Sequence, residues 1–256
     1  MTSSDHRRAN VPAGIKVIAV SDADILAKAA ADRVAARIAA NNDRAAICLT
    51  GGSSPKALYR LLASDAYRGQ IPWERVHWFI GDERFVADDD PLNNMGMARR
   101  LFLDRYAPAA NIHPIPTEAD NPEQAARYYE SELKSFYGAD VLDPNRPLFD
   151  LVLMGLGPDG HTASLFPNDP ALEEKARWVV GVPQAPVAPL VPRVTLTLPA
   201  LNSCREMLFK VSGAEKRAIL TRVLAGENLP ANRAHATGET IWLVDKAALP
   251  ENFREQ

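Results

Sequence analysis

Three segments of this chain share one layout, a nearly continuous apolar run that stops at a glycine. Ala45-Ala46-Ile47-Cys48-Leu49-Thr50 runs into Gly51-Gly52, Val76-His77-Trp78-Phe79-Ile80 into Gly81, and Leu148-Phe149-Asp150-Leu151-Val152-Leu153-Met154 into Gly155. A strand with one wet face alternates apolar and polar residues, whereas continuous apolar runs belong to strands covered on both faces, as in parallel sheets. Helical signals fall between them. Leu26, Ala30, Val34 and Ile38 recur every four residues, with Ser21 or Asp22 available as a cap. Ser54-Pro55 reads as the N-cap and first residue of a helix carrying Leu58, Leu61 and Leu62, and Asn121-Pro122 opens another that runs to about Tyr137. Further strands are expected at 177–182, 193–198, 205–211 and 240–245, with a helix near 214–225. Strand-then-helix order of this kind predicts an α/β fold, a mainly parallel sheet with helices on both faces. Pro183–Pro192 is proline-rich but lies between strands, so it reads as a loop and a single domain is expected.

Composition narrows the function. The 256 residues carry 29 basic and 32 acidic side chains, net −3, with 46% hydrophobic residues, which suits a folded soluble chain rather than a disordered one. That balance argues against a general nucleic-acid or acidic-membrane surface, while leaving room for a local basic cluster that binds one small anion. The apolar runs are too short to cross a bilayer. MTSSDHRRANVPAG has no apolar h-region, so residues 1–15 read as a flexible N-terminus and not a secretory signal. Cys48 and Cys204 lie in strand-like segments without a C-x-x-C partner, which points to structural thiols in a reducing compartment, the cytoplasm.

In open parallel sheets, ligands bind beyond the carboxyl ends of the strands, so the three glycine-ended loops should open on one edge. Thr50-Gly51-Gly52-Ser53-Ser54-Pro55 offers main-chain N–H groups, hydroxyls and a helix start to an anion. It lacks the patterns of a Walker A loop or a dinucleotide fingerprint, and a tight strand-to-helix turn explains it equally well. Gly81-Asp82-Glu83-Arg84 sets charges directly after an apolar strand, where Arg84 is placed to stabilise an oxyanion or to form a local ion pair in a solvated turn. Asp88-Asp89-Asp90 lacks calcium-loop spacing and reads as solvated surface. Gly155-Leu156-Gly157-Pro158-Asp159-Gly160-His161 puts an imidazole beside a carboxylate at a strand end, a pairing suited to activating water. The other histidines are scattered and no G-x-S-x-G elbow occurs, which favours metal-free acid–base chemistry over a metal centre or a serine nucleophile. Arg193 and Lys216 are candidate cations; Lys216 sits in the first turn of a helix, where a cation opposes the helix dipole unless an anion joins it. An ordinary exposed lysine fits the same position.

Together these segments resemble 6-phosphogluconolactonases, in the superfamily that also contains glucosamine-6-phosphate deaminase. The resemblance rests on LTGGSSPKALYRLL, WFIGDERFV, LVLMGLGPDGHTASLFP, RVTLTLPALN, VSGAEKRAIL and WLVDKAAL, in that order from about residue 45 to 249. It implies a cofactor-free, metal-independent cytoplasmic hydrolase that opens 6-phosphoglucono-1,5-lactone, the second step of the oxidative pentose phosphate pathway. It also implies one Rossmann-like domain over 16–256, acting as a monomer or weak homodimer on a small sugar phosphate. Carried over by position, Gly51, Gly52 and Ser53 form the phosphate loop, and Arg193 and Lys216 supply its cations. His161 is the base, Asp159 its orienting partner, Gly160 a neighbouring substrate contact, and Asp82 and Arg84 the polar pair after the second strand. Where the family often has Ser-Asn after the GDER loop, this chain has Leu92-Asn93, with Asn93 the residue that resemblance brings to the substrate.

Two other functions compete. The deaminase branch typically has Asp-Glu-Tyr after the second strand and a Glu within the stretch that here reads Ser164-Leu165-Phe166-Pro167, so it lacks support. A sugar-phosphate sensor would need the phosphate loop but not the GPDGH segment, and no basic face or helix-turn-helix extension is evident.

Overall fold

The computed structural model describes residues 15–251 and Phe253, so the N-terminal segment expected to be flexible lies outside the described residues except for Ile15. Six strands form one sheet in the order β1-β9-β8-β5-β2-β3, every neighbouring pair parallel. These are β1 (Ile15–Val20), β2 (Ala45–Leu49), β3 (Val76–Ile80), β5 (Phe149–Met154), β8 (Cys204–Val211) and β9 (Glu239–Asp245). A second sheet of three antiparallel strands contains β4 (Asp82–Arg84), β7 (Arg193–Leu196) and β6 (Val179–Val182), in that order. The strands expected at 177–182 and 193–198 therefore belong to this smaller sheet.

Adjacent side chains of β3 show how both faces are covered. Trp78 meets Phe102 edge-on, and Phe102 in turn lies 5.0 Å from Tyr59 of α2 (Lys56–Leu62). Phe79 points the other way, packing at 4.8 Å from Phe136 of α4 (Pro122–Tyr137). The α1 helix (Ala23–Ala39) packs against α2 and buries the Leu26, Ala30, Val34 and Ile38 stripe, so helices flank the sheet and one continuous core results. Burying such a stripe, at about 25 cal/mol per Å² of apolar surface, is what fixes these helices on the sheet. Caps agree with local chemistry: the Asp22 carboxylate accepts from the Asp24 and Ile25 N–H groups, and Asn121 accepts from Gln124 N–H with Pro122 following. No described helix is long and apolar enough to cross a membrane.

Three elements depart from the expectations. β1 carries Lys16 within its apolar residues and lies half-exposed at the sheet edge, so it lacks the continuous run that marks the inner strands. The α2 helix begins at Lys56, with Pro55 in the cap position and no side-chain cap; the Ser54 carbonyl instead accepts from a buried lysine. Finally, α3 (Asn94–Ala98) continues through a π-helical turn, Arg99–Leu103, which puts Phe102 into the core. Its sequence has a glycine in the first turn, a poor helix former, because a side chain at Gly96 would collide with the Asp88 carbonyl.

Strand order places the site. From β2 the chain steps outward to β3, then returns to β5 on the other side of β2 and continues to β8 and β9. The exits of β2 and β5 thus diverge, leaving a crevice at the carboxyl edge.

Candidate active site

A cleft of about 730 Å³ opens at this edge, a size suited to a sugar phosphate. Its walls come from the exits of four parallel strands: Gly51–Ser54 after β2, Asp82 and Arg84 after β3, the Gly155–Ala163 segment after β5, and Lys210–Lys216 at the end of β8. The prediction that the three glycine loops share an edge holds, with β8 as a fourth contributor.

The β5 loop carries an imidazole paired with a carboxylate. Asp159 Oδ1 lies 2.5 Å from His161 Nδ1 and also accepts the His161 main-chain N–H at 3.1 Å. A carboxylate at Nδ1 holds the neutral imidazole as the Nδ1–H tautomer, leaving Nε2 as the basic nitrogen. The ring packs at 4.9 Å from Phe166 and lines the cleft, one-fifth exposed. A Cβ at Gly157 would fall on the His161 ring, so the glycine exists to admit the imidazole.

Asp82 and Arg84 reach the cleft through a change of sheet. The carbonyl of Gly81 accepts from Leu196 N–H, and β4 then pairs with β7 so that Asp82 faces Thr195 and Arg84 faces Arg193. Asp82 is buried and accepts from the Ser164 hydroxyl at 2.6 Å. Arg84 Nη1 donates to the Leu92 carbonyl at 2.8 Å, while its buried Nε–H has no partner among the described residues. A buried, unpaired guanidinium N–H beside a cleft suits an oxygen of a ligand. Between them Glu83 turns inward and accepts from the N–H groups of Arg84, Asn94 and Met95; burial pushes its carboxyl up to about 8 against those bonds.

At the other end, Gly52 adopts φ +84° with open space around it, and Gly51 would drive a Cβ into the Asn94 amide. Lys216 Nζ donates to the Leu156 carbonyl at 2.7 Å, linking the β8 exit to the β5 loop.

Three expected contacts are placed differently. Arg193 is buried and donates to the carbonyls of Val191 at 3.1 Å and Pro189 at 2.7 Å, bracing the proline-rich loop rather than lining the cleft. Asn93 caps α3 by accepting from Gly96 N–H at 2.7 Å, and its neighbour Asn94 lines the cleft and donates to the Asp82 carbonyl. Gly160 turns the chain at φ +89°, packs on Leu229 and accepts from Ala231 N–H, so it supports the loop from behind. Asp159, by contrast, sits on the imidazole where it was expected, and does not itself line the cleft.

The sequence pattern alone does not bring Ser164, Asn94 and Lys210 to the site. For Lys210 a signal exists: a lysine interrupts the apolar strand Met207-Leu208-Phe209-Lys210-Val211. Cys48 and Cys204 are buried free thiols whose ionisation burial disfavours. Among the described residues, no three His, Cys, Asp or Glu side chains gather as metal ligands.

The family model described as glucosamine-6-phosphate isomerases/6-phosphogluconolactonase matches residues 21–242. The chain belongs to this family. A 6-phosphogluconolactonase of Synechocystis sp. is 44% identical over 221 residues, covering 84% of this chain and 87% of that protein. One from Nostoc sp. is 41% identical, covering 80% and 83%. The crystal structure of 6-phosphogluconolactonase from Thermotoga maritima superimposes with a TM-score of 0.78 at 31% identity, covering 91% of this chain and all of that one, 100%.

Proposed function

We propose that this protein hydrolyses 6-phosphoglucono-1,5-lactone to 6-phosphogluconate, using His161 as the base without a metal. The observation that carries the reading is that His161, held by Asp159 at 2.5 Å, lines the same cleft as the glycine loop and Lys216. Membership of the family and the lactonase names of its relatives support the substrate.

The phosphate is bound by the N–H groups of Gly52 and Ser53 and by Lys216, which fixes the lactone carbonyl near His161. Nε2 of His161 takes a proton from water as its oxygen bonds to C1. The carbonyl π electrons move onto oxygen, whose charge Arg84 stabilises; that its Nε–H has no partner among the described residues supports this role. Collapse of that intermediate breaks the bond from C1 to the ring oxygen, which receives the proton from the imidazolium. Asp159 holds the ring and stabilises its charged form. Asp82, tied to Ser164, helps orient the sugar hydroxyls. The stretch Ser164–Pro167 offers no carboxylate, and Leu165 and Phe166 are buried, which weighs against the deaminase reaction and its additional proton transfers.

The test is proton release from freshly generated lactone in EDTA, corrected for spontaneous hydrolysis. Acceleration that persists in EDTA and is lost in His161→Ala supports the reading. No acceleration by the wild-type protein, or acceleration abolished by EDTA, overturns it.

A further inference from the structure

We propose that Lys210 is a second ammonium group of the phosphate anchor, fastening the Gly51–Ser54 loop and selecting phosphorylated over unphosphorylated lactones. The proposal rests on the lactonase reading for its substrate, and on separate observations for its geometry.

Lys210 is the next-to-last residue of β8, and Leu208, Phe209 and Val211 around it are buried apolar residues. A charge in such a run opposes folding, because desolvation penalises the ammonium. The side chain is only 5% exposed, yet it reaches the cleft wall and its Nζ donates to the Ser54 carbonyl at 2.7 Å. That bond ties the phosphate loop to a central strand. An ammonium has three N–H donors, and this is its one hydrogen bond among the described residues. No carboxylate lies within ion-pair distance of it among them either, and burial alone pulls it down to about 8.

The other charged groups that line the cleft are Asp82 and Arg84 from β4, His161 from the β5 loop, and Glu215 and Lys216 after β8. Asp82 is engaged by Ser164 and Lys216 by a carbonyl. Lys210 is therefore a buried cation with spare donors beside a loop that lines the same space. A phosphate monoester supplies the missing counter-charge, and its oxygens accept the remaining N–H groups. An unphosphorylated sugar lactone does neither, so the benefit falls on phosphorylated substrates alone.

The experiment compares wild-type protein with Lys210→Met and Lys210→Arg. It measures kcat/KM for 6-phosphoglucono-1,5-lactone and for glucono-1,5-lactone, and competitive inhibition by inorganic phosphate. In Lys210→Met, KM for the phosphorylated lactone and Ki for phosphate rise together, on the order of 10–100-fold. The preference for the phosphorylated lactone falls by the same factor, and Lys210→Arg recovers most of it. A Lys210→Met protein that melts like wild type and keeps both constants overturns the proposal. An equal loss on both lactones also overturns it, since that marks a structural role only. Should the Met variant fail to fold, the rise in melting temperature produced by phosphate is read in Lys210→Gln: a diminished rise supports the anchor and a full rise overturns it. If wild-type protein accelerates neither lactone yet phosphate binds more weakly to Lys210→Met, the assigned reaction fails while the anchor stands.

Discussion

At the β5 end of the cleft two charged groups are already matched: Asp159 holds His161, and Ser164 holds Asp82. At the β2 and β8 end, Lys210 and Lys216 donate only to main-chain carbonyls, and among the described residues neither has a carboxylate partner. In the first region His161 and Asp82 are set by hydrogen bonds that fix direction, and one Arg84 N–H is left over among the described residues. The second is left electrostatically incomplete, so that an anion gains from entering it. In the proposed reaction, orientation governs the reacting end, where a misaligned imidazole cannot move a proton in step with bond formation. Charge in the same proposal governs the anchoring end, where a phosphate tolerates small displacements but not the loss of a cation. Substitutions at the two ends should therefore separate turnover from binding.

The sharpest separation is expected from His161→Ala. Its kcat should fall on the order of 10²–10⁴-fold while inhibition by inorganic phosphate stays close to wild type. Loss of phosphate binding in a folded His161→Ala protein would break the division between the ends. Gly157→Ala probes the same end through shape alone. The added methyl collides with the imidazole ring, which must swing away from Asp159. A fall in kcat of about 10²-fold with little change in phosphate Ki is expected, measured by the same proton-release assay.

This division also accounts for what could be read from the chain. Parallel strands buried on both faces write themselves as apolar runs, and their glycine exits identify the ligand edge, so β2, β3, β5 and the His161 loop were legible. Residues whose role depends on pairing across the fold were not. Arg193 looks like a free cation until β7 is seen to pair with β4 and the Pro189 and Val191 carbonyls take its donors. Asn93 and Asn94 are indistinguishable as neighbours, and only the start of α3 decides that the first caps the helix and the second faces Gly51. β1 escaped because its Lys16 and half-exposed edge position mimic a terminus.

At the anchoring end, pH should act on binding and stability in opposite directions. Lys210 is pulled from the ordinary lysine value of 10.5 down to about 8, so the unfolded chain binds more protons than the folded protein between those values. Stability contributed by this site therefore rises with pH over that window. Binding of 6-phosphogluconate favours the charged ammonium, so its affinity falls as pH climbs through about 8, approaching tenfold per unit. Arg84 and Lys216, the other cations of the cleft, and the acidic groups Asp82 and Glu215 are retained in every variant compared. Titration calorimetry of wild type against Lys210→Arg isolates the effect, because arginine keeps its charge and should flatten the dependence. A dependence of equal steepness in both proteins would assign it elsewhere in the cleft.

The smallest expected effect tests the two adjacent asparagines. Asn93→Ala removes the oxygen that accepts from Gly96 N–H at the start of α3, which should cost about 1 kcal/mol of stability. Because α3 carries Asn94 against the Gly51–Ser54 loop, a weakened helix start loosens that contact without removing any group from the cleft. Turnover at saturating lactone should then change by less than a factor of about three, with denaturant unfolding reporting the main loss. Asn94→Ala should do the reverse. It leaves the cap intact but removes the amide that packs on Gly51 and donates to the Asp82 carbonyl, so KM should rise more than stability falls. If Asn93→Ala instead raised KM while leaving the unfolding midpoint unchanged, Asn93 would be the substrate contact. The division of labour between the two neighbours would then be the opposite of the one α3 imposes.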